Sequence, residues 1–187
     1  MGRIVADATP IVYLAKVGKL QLLKKLYGDV IVPEAIKREL LVGDHPEVPV
    51  ILEAHRAGWL EERPLNRAER MFHLKQLLKA PGLHEGERQA IALAHMGHLP
   101  LLMDENERTG RRVAKVWGVE VRGTLRVILE AYEAGHIEYG EARETFRQLL
   151  AERFRVSADV YERALNLLEK ARETTGRQTA MASETKP

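Results

Sequence analysis

Residues 99–121 read LPLLMDENERTGRRVAKVWGVEV, and the order of features within them decides the fold class. Leu99 to Met103 is an unbroken apolar run, too short for a helix and lacking the alternation of a half-exposed strand. That pattern belongs to a strand buried on both faces of a parallel sheet. The run stops at Asp104. A helical stretch follows, from about Glu107 to Trp117, and Val119 to Val121 opens another β run. The helix ahead of it, roughly Glu85 to Met96, completes the strand–helix alternation that parallel strands require.

Outward from this segment the same grammar repeats. Arg3 to Ala6 is a short β run that stops at Asp7. Thr9-Pro10 reads as an N-cap with proline in the first helical turn, and that helix ends at Gly18. Leu20 to Tyr27 has helical spacing. Asp29 to Val32 is β-branched and closed by Pro33, and Glu34 to Val42 reads as helix. Gly43 to Pro49 is a loop, Val50 to Ala57 a helix, Trp59-Leu60 a brief strand, and Asn66 to Lys79 a helix broken by Pro81-Gly82. Beyond Gly123 only helices are expected, at 123–134, 141–150 and 158–172. The sum is an α/β fold with a central parallel sheet of about five strands and a helical C-terminal extension. The expected division is a domain over 1–155, a helix packed on or beside it over 156–173, and a disordered polar tail over 174–187.

Composition narrows the function classes. The chain has 187 residues, 45% of them apolar and 30% charged, enough for one domain with a sizeable core. It has no cysteine, which excludes disulfides, zinc–thiolate sites and thiol nucleophiles and makes a reducing cytoplasm the expected compartment. No apolar run approaches the roughly 20 residues of a membrane span, and MGRIVADATP is not a secretory signal, so no membrane role is expected. Net charge is +2, from 29 Lys and Arg against 27 Asp and Glu, so nucleic-acid contact must come from local patches.

Two aspartates share one context, since Asp7 and Asp104 each follow a parallel strand at its C-terminal end, where open α/β sheets bind ligands. The competing reading is an ordinary turn or capping residue. Glu87 lies one turn before Ile91 on the apolar side of its helix, a costly place for an unpaired carboxylate. Its competing role is to complement the helix dipole, which Glu85 serves from a more exposed position. Glu39 borders the apolar face of its helix, and from local sequence alone a solvated charge explains it better. Carboxylates without cysteine or a histidine cluster select hard cations such as Mg²⁺ or Mn²⁺, and such sites suit phosphate chemistry.

Other motifs fail. HEGER at 84–88 begins like a zinc-protease HExxH but has Arg88 where the second histidine belongs. GxGxxG, GxxxxGK and GxSxG are absent. A haloacid-dehalogenase-type nucleophile needs an aspartate two residues after Asp7, and Thr9 stands there.

IVADATPIVYLAKVGKLQLLKKLYGDVIVPEAIKREL, then GERQAIALA, LLMDE, GRRVAKVWGVEVRGTL and ILEAYEAGHI together resemble the PIN-domain superfamily, and within it the small VapC-like prokaryotic branch. The similarity runs in order over about residues 3 to 155. It implies a three-layer α/β/α PIN-like fold and an endoribonuclease whose Asp7, Glu39, Glu87 and Asp104 are the catalytic acids and the Mg²⁺ or Mn²⁺ ligands. Thr9, Asn106 and Glu107 would support them, and Arg108, Arg111, Arg112 and Lys115 would meet RNA phosphates. The partners implied are an RNA substrate, a small antitoxin protein and a second copy of the chain. Two departures stand out: Asp7-Ala8-Thr9 replaces the usual Asp-Thr-Ser, and Gly110-Arg111 comes about two residues late after Asp104. The rival expectations are a PIN-fold binding or regulatory protein with little catalysis, and a structure-specific DNA nuclease.

Overall fold

Three apolar runs form the centre of the sheet: Ile4-Val5-Ala6, Val30-Ile31-Val32 and Leu101-Leu102-Met103 are all buried. In the computed structural model, which describes residues 2–40 and 45–184, they lie in β1 (Arg3–Ala6), β2 (Asp29–Pro33) and β4 (Leu101–Leu102). β3 (Leu60–Arg63) and β5 (Val121–Arg122) form the edges. The order is β3-β2-β1-β4-β5, all parallel, with Val5 opposite Ile31 on one side and Leu101 on the other. The edge strands carry the charge, Glu61, Glu62 and Arg63 at one side and Arg122 at the other, as edges that must not recruit another chain do.

The helices are α1 (Ala8–Lys16), α2 (Gln21–Tyr27), α3 (Glu34–Leu40), α4 (Val48–Arg56), α5 (Arg67–Phe72), α6 (Glu85–Gly97), α7 (Arg108–Val116), α8 (Thr124–Glu133), α9 (Tyr139–Ala151) and α10 (Ala158–Glu184). The chain steps outward from β1 through β2 to β3 and then returns past β1 to β4 and β5, with α1 and α2 packed with α8 and with α6 packed with α7. The result is a three-layer α/β/α PIN-like fold in which α6 packs against β1, β2 and β4. Strand order reverses between β1 and β4, and the crevice above that point is the sheet's natural ligand position.

Several boundaries differ from expectation for identifiable reasons. β4 is a regular strand only at Leu101–Leu102, although Pro100 and Met103 still bond to its neighbours (Val5 N–H to Pro100 O, 3.0 Å; Met103 N–H to Arg122 O, 3.0 Å). Leu99 instead closes α6, donating to Ala94 O at 2.9 Å. The first helix starts at Ala8, so Asp7 and not Thr9 is its N-cap, and Pro10 falls in the first turn where no backbone donor is needed. The helix expected over 66–79 is α5, opened by an Asn66–Glu69 capping box, and a π-helical turn at His73–Leu77. Residues 41–44, the expected end of α3 and start of the next loop, lie outside the described residues. α10 buries Ala164 and Leu168 in the common core against α8. It continues helical to Glu184 where an unstructured tail is expected from 174, and no proline in 174–184 interrupts it. No helix of the described residues is long and apolar enough to cross a membrane.

Candidate metal-binding acid cluster

Pairing of β1 with β4 settles the placement of the two aspartates. Asp7 donates its backbone N–H to Leu102 O at 2.9 Å, so the two strands end level and their aspartates open into the same crevice. Asp7 is 9% exposed. It occupies the N-cap position of α1, yet beyond the backbone hydrogen bond at Ala8 its side chain makes no capping bond further into the helix.

Glu87 enters from α6. It is 7% exposed and stands at the third position of the helix, where one oxygen accepts the His84 backbone N–H at 2.9 Å. The capping role is therefore real, but it occupies one oxygen of the two. Glu85 is turned outward onto Arg88, Gln89 and His73. Glu39 is exposed and reaches the same neighbourhood across the α3–α6 contact. A Cβ on Gly86 would sit 3.3 Å from Glu39 Oε1 and 2.9 Å from Ile36 Cγ1, so glycine there is what lets the two helix ends approach.

Residues 104–107 divide by side. Asp104 and Glu107 face the crevice, and each raises the proton affinity of Asp7. Glu105 turns the opposite way, into the N-terminus of α8, where its carboxylate accepts the Leu125 N–H at 2.7 Å. Asn106 is drawn outward, its amide donating to Arg155 O. Of the two residues expected to support the acids from this loop, Glu107 is electrostatically coupled to the cluster while one of its oxygens caps α7, accepting the Gly110 N–H at 3.1 Å, and the Asn106 amide is spent on tertiary anchoring. Thr9 is half-buried in the first turn of α1, two residues from Asp7.

The charges are poorly compensated. Burial, then the Glu39, Glu107 and Asp104 carboxylates, hold Asp7 well above the usual carboxylate range, at about 6, against the opposing backbone hydrogen bond at Ala8. Burial pushes Glu87 to about 7, helped by the Glu107 and Asp7 charges and a hydrogen bond with Glu107. Burial also raises Asp104 and Glu105, with Arg111 opposing it at Asp104. None of the five crevice acids is salt-bridged among the described residues. Their donor set is all oxygen, which fits a hard divalent cation. Among the described residues, no three acids or histidines as placed converge closely enough to hold one ion between them. The chemistry fits, and the side chains must draw together to use it.

Beside the acids, α7 presents Arg108, Arg112 and Lys115 exposed along one side. Arg111 turns inward, with Nη1 donating to Met103 O at 3.0 Å and Asp104 O at 3.3 Å. Its guanidinium is committed to the acid loop. Residue order alone singles out neither Glu105 nor Arg111 as anchors, because both look like members of a charged, solvated run.

No curated protein matches the chain. The profile of a PIN-domain family does match, over residues 3–170, which takes in the whole sheet, every crevice acid and roughly the first half of α10. PIN domains are typically metal-dependent nucleases. With a parallel sheet whose switch point is ringed by carboxylates and a family match over nearly its full length, this chain belongs to the PIN-domain family.

Proposed function

We propose that this protein is a divalent-metal-dependent endoribonuclease of the VapC-like kind, with Asp7, Glu39, Glu87 and Asp104 as Mg²⁺ or Mn²⁺ ligands and Glu107 as a fifth acid beside them. One observation carries the reading: five carboxylates lie around the switch point with no salt bridge among the described residues, two of them buried and proton-loving, a costly arrangement unless cations replace the protons. When bound, the metal supplies polarisation of the phosphoryl oxygen and a more acidic water. The chain's own contribution is to hold the acids around the switch point with Asp7 and Glu87 buried, to store protons on those two, and to offer Arg108, Arg112 and Lys115 to the phosphates flanking the cut. Preference for RNA rests on the family resemblance, as does a small antitoxin partner occupying the crevice. A homodimer is proposed through the late helices, which expose Leu150, Val160 and Leu167.

A second reading has its own support. Because no three ligands converge as placed, a PIN-fold nucleic-acid-binding protein with little catalysis is the alternative. The test uses metal-stripped protein, Mn²⁺, and end-labelled single-stranded RNA beside DNA of the same sequence. RNA cleavage that depends on Mn²⁺ and vanishes in Asp7→Asn supports the proposal. Undiminished cleavage in that variant sinks the site, cleavage of DNA alone reassigns the substrate, and tight RNA binding without Mn²⁺ uptake favours the binding protein.

A further inference from the structure

Resting on the metal-site reading above, we infer that Glu105 is a positioning residue, which orients Asp104 and Glu107 by fastening their loop to the first turn of α8, and that Gly123 is glycine in order to admit it. The loop has little regular structure to hold it: β4 ends at Leu102 and α7 begins at Arg108. Within it, neighbouring side chains diverge. Asp104 and Glu107 face the crevice while Glu105 is driven into the protein, where one oxygen accepts the Leu125 N–H at 2.7 Å and the other is buried without a partner. α8 starts at Gly123, which offers no side chain of its own to cap it, so Glu105 takes the place of an N-cap residue from twenty positions away.

The seat is tight. A Cβ on Gly123 would lie 2.4 Å from Glu105 Oε1 and 2.7 Å from Cδ. The backbone of Gly123, at φ −107° and ψ 171°, is an extended conformation that any residue adopts. Glycine is therefore needed there for the close approach of Glu105 and for no conformational reason. A buried carboxylate with an unpaired oxygen is an expensive cap, and a neutral side chain could close the helix at lower cost. What this one adds is a fixed bearing for the residues on either side of it. Arg111 on the carbonyls of Met103 and Asp104, Asn106 on Arg155 O, and Glu107 on the Gly110 N–H hold the same loop from other directions. Glu105 is the anchor placed between the two crevice acids.

The test compares Glu105→Ala, Glu105→Gln, Gly123→Ala and the Glu105→Ala/Gly123→Ala double variant in the full chain. Mn²⁺ affinity is read by calorimetry, kcat and KM on RNA by cleavage, and loop order in metal-free protein by amide hydrogen exchange. Glu105→Ala and Gly123→Ala should each weaken Mn²⁺ binding about tenfold or more, the range seen when groups that orient ligands are removed. The loss should fall on kcat, with far-UV circular dichroism unchanged. Glu105→Gln keeps an acceptor for Leu125 and should restore most of the affinity. The double variant should be no worse than either single one, because alanine at 123 is harmless once Glu105 is short. Additive losses, or single variants that bind Mn²⁺ like the wild type, would overturn the inference while leaving the nuclease reading intact. If wild type itself takes up no Mn²⁺, that reading falls. The clamp is then decided by exchange alone: faster exchange confined to residues 104–108 and 124–126 in Glu105→Ala upholds it, and an unchanged pattern ends it.

Discussion

Asp7 states the problem most sharply, because its fold cost and its proposed use have the same origin. Its carboxyl is held at about 6 chiefly by burial, so the folded chain binds that proton more tightly than the unfolded chain. Stability from such a group is fully present below the unfolded value and is lost as pH rises through the folded one. Metal-free protein should therefore lose up to about 3 kcal/mol at this residue between pH 4 and pH 8, with Glu87 acting in the same direction and the lowered Glu85 opposing it. Asp7→Asn removes the titration. Its urea midpoint should exceed wild type at pH 8, the gap should narrow to about half by pH 5 and close only below about pH 4, and cleavage should be gone at both pH 8 and pH 5. A variant less stable than wild type at pH 8 would mean the carboxylate is compensated by something other than protons. Glu107 shows where residue order stops informing. Glu105 and Glu107 are chemically alike and two positions apart, and only the turn after β4 sends one into α8 and the other into the crevice.

Between elements, the decisive contact is α3 against α6. The strand–helix alternation and the strand-end aspartates are legible in the sequence because parallel strands need apolar runs and long crossovers. Glu39 is not, because its helix exposes it and only the approach of α6 brings it to the site. That approach depends on Gly86. Alanine there gains at most about 1 kcal/mol of helix propensity but forces a Cβ to 2.9 Å from the fully buried Ile36, an overpacking of roughly 1–3 kcal/mol. Gly86→Ala should be net destabilising by about 1 kcal/mol on these figures, read from urea unfolding, and should reduce Mn²⁺ affinity by shifting Glu39. A stabilised variant would show that the helices part without cost. On α7 the same logic separates four cations that look equivalent in sequence. Alanine at Arg108, Arg112 or Lys115 should weaken RNA binding and lower the slope of log affinity against log salt by about one each. Arg111→Ala should instead disturb the Asp104 loop and cost metal affinity with little change in that slope.

For the molecule as a whole, the acid cluster makes folding, protons and metal compete for the same site. The α/β layering could be read from the sequence because it is written in periodicity, and the family from a resemblance spread along the chain, whereas the state of the crevice is a balance among five charges set by tertiary burial. A cation that binds only the folded chain adds RT ln(1 + [L]/Kd), about 2.7 kcal/mol at a hundredfold excess over Kd. For a chain of this length that is about 5–10 °C in melting temperature. Binding must also expel the protons held at Asp7 and Glu87, so the gain depends on pH. At pH 8, where both acids are ionised in the folded state, Mn²⁺ should raise the melting temperature by the full amount. At pH 5.5 the same concentration should raise it much less, since protons already relieve the repulsion. Asp7→Asn should abolish most of the rise at either pH. A rise equal at both pH values would place the ion away from these carboxylates, on groups that do not titrate in this range. A rise that survives in Asp7→Asn would place it away from the switch point altogether.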